Sequence, residues 1–480
     1  MLRNKSTKNI WELKNGFTHR WVEPDFLSDL LHVFRLSTLL KCLKNIKQKG
    51  MNFELLISYL LCFPFWQQSN VYQFANSFWG KQIAAGKDCF FRLLNNPDID
   101  WRRILSLFVF KFMTVNLDRD SFGKGPRCLI IDDTTLAKTG QLIEGVSRVF
   151  DHVCMRKVLG FKLLVLSYWD GLSHIPIDFT MHREKGKNKD FPFGLKPGKF
   201  KNQFTCDRNE ISCGHQRFKE LDIDKITAAL QMIRRAIKSP LKIDYVLMDS
   251  WFTCKATLRE IAQHKGIHLL GMYKGGKTKF KYLNKEYTVA QLRNKLGKTK
   301  YHRKTRLYYI AVKVTLDGQQ VQLFLTRKGK RGKWKILLST DLSLNFSQAL
   351  EIYHIRWGIE VFFKEAKQLL NLGKCQANNF NSQVASTTLI FMQYILLTMT
   401  HRYNSYETKG ALFREIEETF LNIRLTERLW GLFLEIMNTL AEIISELDVE
   451  ELMIGLLDKP EFIDKLLLPD QYSISNYQAA

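Results

Sequence analysis

The sequence predicts an α/β core that carries a β-rich insertion and is flanked by helical regions at both ends. Three observations carry that prediction. Apolar runs ending in acidic residues alternate with helix-period segments between 128 and 273; a basic stretch of β-like runs spans 273 to 335; and apolar residues recur at helical spacing before 120 and after 380. At 480 residues, 45% of them hydrophobic and 12% aromatic, the chain has room for several domains with sizeable cores. The 72 Lys and Arg against 47 Asp and Glu, a net charge of +25, predict a polyanionic partner, nucleic acid first.

Residues 1–120 read as a helical N-terminal region. LSDLLHVFRLSTLLKCLKNIKQKG (27–50) and FELLISYLLCFPFW (53–66) repeat at 3.6 residues, and NNPDIDWRRILSLFVFKFM (95–113) places Asp98 and Asp100 to cap a helix. Such a basic bundle serves DNA-end binding or structure alone; it has no helix-turn-helix signature. The N-terminus lacks the apolar core of a signal peptide, and runs such as 53–66 are too short and interrupted to span a bilayer. The nine cysteines are scattered as reduced thiols are, and the spacing of Cys206, Cys213 and His215 is not a standard zinc pattern.

Residues 121–272 read as the first part of the core. After a break at FGKGPR (122–127), RCLIIDDTTL has the look of a buried strand ending in carboxylates. Strands are predicted over 161–171 and 174–184, a basic loop from 185 to about 214, and a helix across 218–239. KIDYVLMDSWF (242–252) repeats the apolar run ending in an acid, Asp249, and a helix at 257–265 and a strand at 267–273 follow.

Residues 273–345 form the basic, β-rich insertion. Between 273 and 335, 19 Lys or Arg stand against the two acids Glu286 and Asp317, a surface suited to phosphates. Gly271 to Thr278 matches the spacing of a phosphate-binding loop, but a true one opens a helix and KFKYLNKEYTV reads as strand. Residues 346–400 complete the core. Residues 401–480 are helical and increasingly acidic, with two lysines against ten acids from 431 onward, a surface for packing or dimerisation and not for DNA.

The chemistry centres on Ile352 to Leu370, read as one helix. At roughly 100° per residue, Tyr353, Arg356, Glu360 and Lys367 fall within about 60° of arc. A tyrosine, two cations and a carboxylate make an odd core seam, because ionised groups are rarely buried without partners. The bland reading is a solvated face with an Arg356–Glu360 pair, just as strand-terminal aspartates often cap turns. Taken together, Asp133 (with Asp132 beside it), Asp249 and Glu360 supply hard oxygen ligands for Mg²⁺ next to groups that can steady a phosphate.

IDDTT at 131–135, VLMDS at 246–250 and the spaced Tyr353, Arg356, Glu360 and Lys367 resemble the DDE transposases of bacterial insertion sequences, specifically the IS-four family with its Y-R-E-K signature, over roughly 125–400. The resemblance implies an RNase H-like core interrupted by a β-rich insertion. It implies Asp133, Asp249 and Glu360 as catalytic acids holding two Mg²⁺ ions, with Mn²⁺ as a substitute, and Tyr353, Arg356 and Lys367 as phosphate contacts. Asp133 is preferred over Asp132 as the second acid before Thr-Thr. KWKILLST (333–340) resembles the segment whose tryptophan stacks on a flipped base, implying that role for Trp334, which otherwise reads as a strand-core residue.

The implied reaction is cut-and-paste transposition: nicking, hairpin formation, reopening and joining of 3′ ends to target DNA. The implied partners are double-stranded terminal inverted repeats, target DNA and a second copy of the chain, in the bacterial cytoplasm and on the nucleoid, with no membrane. Two other readings share the same residues, a metal-dependent nuclease that does not join strands and an inactive DNA-binding protein. Strand joining separates the first, and three intact acids argue against the second.

Overall fold

The computed structural model describes residues 40, 50–77, 80–81, 86–118, 123–329, 331–403 and 407–418. The helical reading of 27–50, Leu40 and Gly50 aside, and that of the acidic segment 442–458 lie outside the described residues. Those described fall into two units. In one, 65–68 with 407–418, the Phe65 and Phe413 rings lie 5.4 Å apart. The other holds everything that follows.

Among the described residues the first helices are α1 (Phe53–Cys62), α2 (Val71–Asn76), α3 (Lys87–Asn95) and α4 (Trp101–Asp118). Asp100 Oδ1 accepts from Arg103 N at 2.9 Å, the cap its position predicts. The core then runs through β1 (Cys128–Ala137), β2 (Ser147–Asp151), β3 (Arg156–Trp169), β4 (His174–His182), α5 (Pro197–Lys201), α6 (Cys213–Lys219), α7 (Lys225–Ile237), β5 (Tyr245–Met248), α8 (Lys255–Ala262) and β6 (His268–Tyr273). Next along the chain are β7 (Lys279–Tyr282), β8 (Lys285–Thr288), α9 (Val289–Leu296), β9 (Lys300–His302), β10 (Leu307–Leu316), β11 (Gln319–Lys328) and β12 (Lys335–Ser339). The chain continues through α10 (Phe346–His354), α11 (Trp357–Gln368) and α12 (Phe380–Tyr403).

One sheet joins these strands in the order β2-β3-β1-β5-β6-β12-β11-β10-β7-β8, with β4 on β3 and β9 on β10. β1, β5 and β6 are parallel, β3 and β4 antiparallel additions on one side, and β12 pairs antiparallel with β6. Cys128 to Ile131 and Val246 to Met248 are fully buried, which explains their unbroken apolar runs: a parallel strand in a covered sheet has no polar face. Helix α12 is buried along almost its whole length and packs against α1, α3, α4 and β4, so apolar residues occur on every side and its buried polar ones are hydrogen-bonded, Thr387 to Gln383 O at 2.9 Å and Gln393 to Leu60 O at 3.0 Å among them.

Two of these elements differ from expectation. β1 does not end at its acids but runs on to Ala137, because β3 pairs with it over its full length, Asp132 opposite Val165 and Asp133 opposite Leu164. The helix expected across 218–239 breaks before α7, where Asp224 Oδ1 takes the Thr227 N–H at 2.9 Å and starts a new helix. After Gly271 the chain stays in β6 and passes to β7, so the segment from Gly271 to Thr278 opens no helix. Gly271 is instead a packing residue: a Cβ there would lie 2.2 Å from Thr253 Oγ1.

Candidate active site

The parallel pairing of β1 with β5 ends at Ile131 opposite Met248. The next residues along each strand are Asp132 and Asp249, so two carboxylates emerge side by side where ligands gather in open α/β sheets, beyond the carboxyl ends of parallel strands. Asp249 is held by its own turn. Its Oδ1 accepts from Trp251 N at 2.8 Å and Phe252 N at 3.2 Å, and its carbonyl oxygen accepts from Thr253 Oγ1 at 2.7 Å. The fully buried Phe252 pins that turn to the core.

The segment from Ile352 to Leu370 is not one helix. It passes from α10 to α11 through a tight turn in which Ile355 N donates to Ile352 O at 3.1 Å and Arg356 N to Tyr353 O at 3.1 Å, three-residue spacings that wind the chain more tightly than an α-helix. Tyr353 therefore lies in the last turn of α10 and Arg356 caps α11. Gly358 lets α11 approach the sheet closely, since a Cβ there would lie 3.1 Å from the His174 ring.

Successive side chains of a strand point to opposite faces, and β1 uses both. On the face toward α11, Arg356 donates to Asp132 Oδ2 at 2.9 Å and to Glu360 Oε1 at 2.5 Å, and Lys367 Nζ donates to Thr134 Oγ1 at 2.7 Å. The Arg356 guanidinium lies 5.8 Å from the centre of the Tyr353 ring. On the other face, Asp133 Oδ2 accepts from Lys225 Nζ at 3.1 Å and pairs with Lys162 at 3.8 Å, while Lys162 donates to Thr135 Oγ1 at 3.0 Å. Asp249, Tyr353, Arg356 and Glu360 thus gather around Asp132, Lys367 lies two residues along at Thr134, and Asp133, expected among them, turns away.

Burial pushes the Asp132 carboxyl up to about 7; Arg356 opposes the shift, and the nearby charge of Asp249 adds to it. Burial likewise raises the Tyr353 phenol to about 12 and lowers Lys367. Burial works against the charge on Arg356 too, but Tyr353, Glu360 and Asp132 hold it above the usual arginine range. Among the described residues no three His, Cys, Asp or Glu side chains stand ready as a metal cage, since Arg356 lies between two of the carboxylates. The donor set still fits a hard divalent cation: all three groups offer carboxylate oxygens, and Asp132, with its raised proton affinity, is short of positive charge even beside Arg356.

A family model described as "Transposase DDE domain" matches residues 123–396, more than half of the chain and every site residue named so far. The chain belongs to the DDE transposases. It is accordingly an enzyme of metal-dependent DNA cleavage and strand transfer, with DNA as its partner. No curated protein matches it. No helix among the described residues of this transposase is long and apolar enough to cross a membrane.

Trp334 immediately precedes β12, with the Arg327 and Arg293 guanidinium carbons 4.7 and 5.7 Å from its ring centre. No described hydrogen bond or ion pair joins it to the acids. Sequence reasoning passed over Asp132, Lys162 and Lys225. The first had a signal, strand alternation relative to Asp249; the two lysines, on β3 and α7, had none, because only the folded sheet brings them to β1.

Proposed function

We propose that the transposase moves a bacterial insertion sequence by cut-and-paste, and that Asp132, Asp249 and Glu360 are its metal-holding acids. The observation that carries this reading is the position of Asp132: it follows the last β1–β5 register pair, adjoins Asp249 and shares Arg356 with Glu360. Bound there, two Mg²⁺ ions, or Mn²⁺, would activate an attacking oxygen and stabilise the leaving one in displacement at phosphorus. The chain's own part is to hold and orient. Arg356 and Lys367 present N–H donors to non-bridging phosphate oxygens, Tyr353 adds a hydroxyl, and the buried floor of β1 and β5 keeps the carboxylates in place. Trp334, between two arginines, serves as the stacking residue for a flipped base.

An RNase H-like core is supported by the strand order β4-β3-β1-β5-β6 with β1, β5 and β6 parallel. The Tyr353, Arg356, Glu360 and Lys367 spacing supports the IS-four group, its hairpin intermediate and action as a homodimer on paired ends. The test incubates the enzyme with labelled DNA bearing the inverted repeats that flank its gene, with and without Mg²⁺. Hairpins and joined 3′ ends should form only with Mg²⁺ and vanish in Asp132→Asn and Glu360→Gln. Cleavage without joining would instead make the protein a nuclease, and undiminished activity in Asp132→Asn would remove that residue from the site.

A further inference from the structure

Trp251 is exposed to 52%, although a tryptophan on a rigid turn this close to a hydrophobic core would ordinarily be buried. The turn that displays it is fixed on every side. Its own N–H is bonded to Asp249, the neighbouring Phe252 is fully buried, and Thr253 packs against Gly271 of β6. Two ammonium groups accompany the ring, Lys274 Nζ at 5.0 Å and Lys225 Nζ at 5.4 Å from its centre. Lys225 is in turn held at 3.1 Å by Asp133, which gives the carboxylate on the far face of β1 a task of its own.

We propose that Trp251, with Lys225 and Lys274, forms a stacking site for an unpaired DNA nucleotide beside the phosphate being cut. An indole face accepts any base, and the ammonium groups that lie over the ring meet the phosphates before and after that base once it stacks. Lys274 is exposed, so its flexible stem can leave the ring face as a base arrives. Trp251 is two residues from Asp249, so a nucleotide stacked on it neighbours the phosphate that the carboxylates address. The placement beside the cut rests on the proposed role of Asp249, and the stacking rests on the exposed ring and its two cations.

The test measures fluorescence anisotropy of the full-length protein, without divalent metal so that no strand is cut, on a blunt duplex and on the same duplex with a short 3′ single-stranded overhang. Trp251→Ala should weaken binding to the overhang DNA about tenfold and leave the blunt duplex within about twofold, while Trp251→Phe retains most of the affinity. Abasic spacers in the overhang should impose the same loss on the wild type. Equal losses on both DNAs, or none on the overhang, would overturn the stacking site alone. Failure of the wild-type protein to bind either DNA would overturn the stacking site together with the DNA-cleaving role on which it rests.

Discussion

The two faces of β1 take neighbouring residues of one kind, Asp132 and Asp133, and give them different surroundings. Asp132 faces α11 and shares a single arginine with Glu360, whereas Asp133 faces α7 and has two lysines, one of them almost fully buried. The first carboxylate is undersupplied with positive charge and is pushed up to about 7 by burial, against Arg356 and with Asp249 adding to the rise. An acid left short of charge is fitted to take up a cation; an acid saturated by lysines is fitted to hold those lysines still. Position on a strand, one residue to the next, thus separates a binding role from a supporting one.

The sharpest way to break this comparison is to neutralise each acid separately. Asp132→Asn should remove strand cleavage by more than the roughly 10- to 100-fold that loss of an outer-shell partner costs a metal site. Asp133→Asn should leave cleavage within about tenfold of wild type but lower stability by about 1–3 kcal/mol, because the buried Lys162 loses its opposite charge and is left with neutral oxygens alone. Urea unfolding and product formation on end DNA read both effects. The opposite pattern would return the catalytic role to Asp133.

A second test uses pH. The folded-state value of Asp132, about 7, lies above the ordinary carboxyl value of 3.8, so between these values the folded protein holds more protons than the unfolded chain. Stability should therefore fall as pH rises from about 4 to 7, with the whole cost present above 7. That cost is at most about 4 kcal/mol, and less to the extent that water reaches the carboxyl. Asp132→Asn should flatten this part of the profile, and Mg²⁺ or Mn²⁺ should offset it at alkaline pH. A wild-type profile that matches the variant's would mean that Asp132 does not carry the strain assigned to it.

Much of this arrangement was legible in the sequence, and the exceptions share a cause. The apolar runs at 128–131 and 246–248, the strands at 161–169 and 174–182 and the residues of the α11 face follow from local pattern, because buried strands and charged helical faces leave periodic traces. The extension of β1 past its acids depends on β3, a partner more than twenty residues away. The turn at Ile355 and Arg356 contains neither Pro nor Gly, the residues that usually announce a break. Strand alternation says that Asp132 and Asp133 point apart, but which of them meets α11 is decided by the sheet's packing. The split of 218–239 was readable, since Asp224 three residues before Thr227 is a capping pattern.

The finest test of the two faces lies one residue further along, at Thr134 and Thr135. Each hydroxyl accepts from one lysine, Lys367 at 2.7 Å and Lys162 at 3.0 Å, so Val at either position removes one acceptor at nearly constant volume. Lys367 is partly open and can recover solvent, so Thr134→Val should cost about 0.5–1.5 kcal/mol. Lys162 is only 3% exposed, so Thr135→Val should cost toward the upper end of about 1–3 kcal/mol. Activity should respond in the reverse order. With Thr134 gone, Lys367 loses the contact that aims it at the phosphate side of β1, and cleavage should slow a few-fold, whereas Thr135→Val should leave the rate per folded molecule unchanged. If both variants slowed cleavage alike, the division of labour between the faces would not extend beyond the two aspartates.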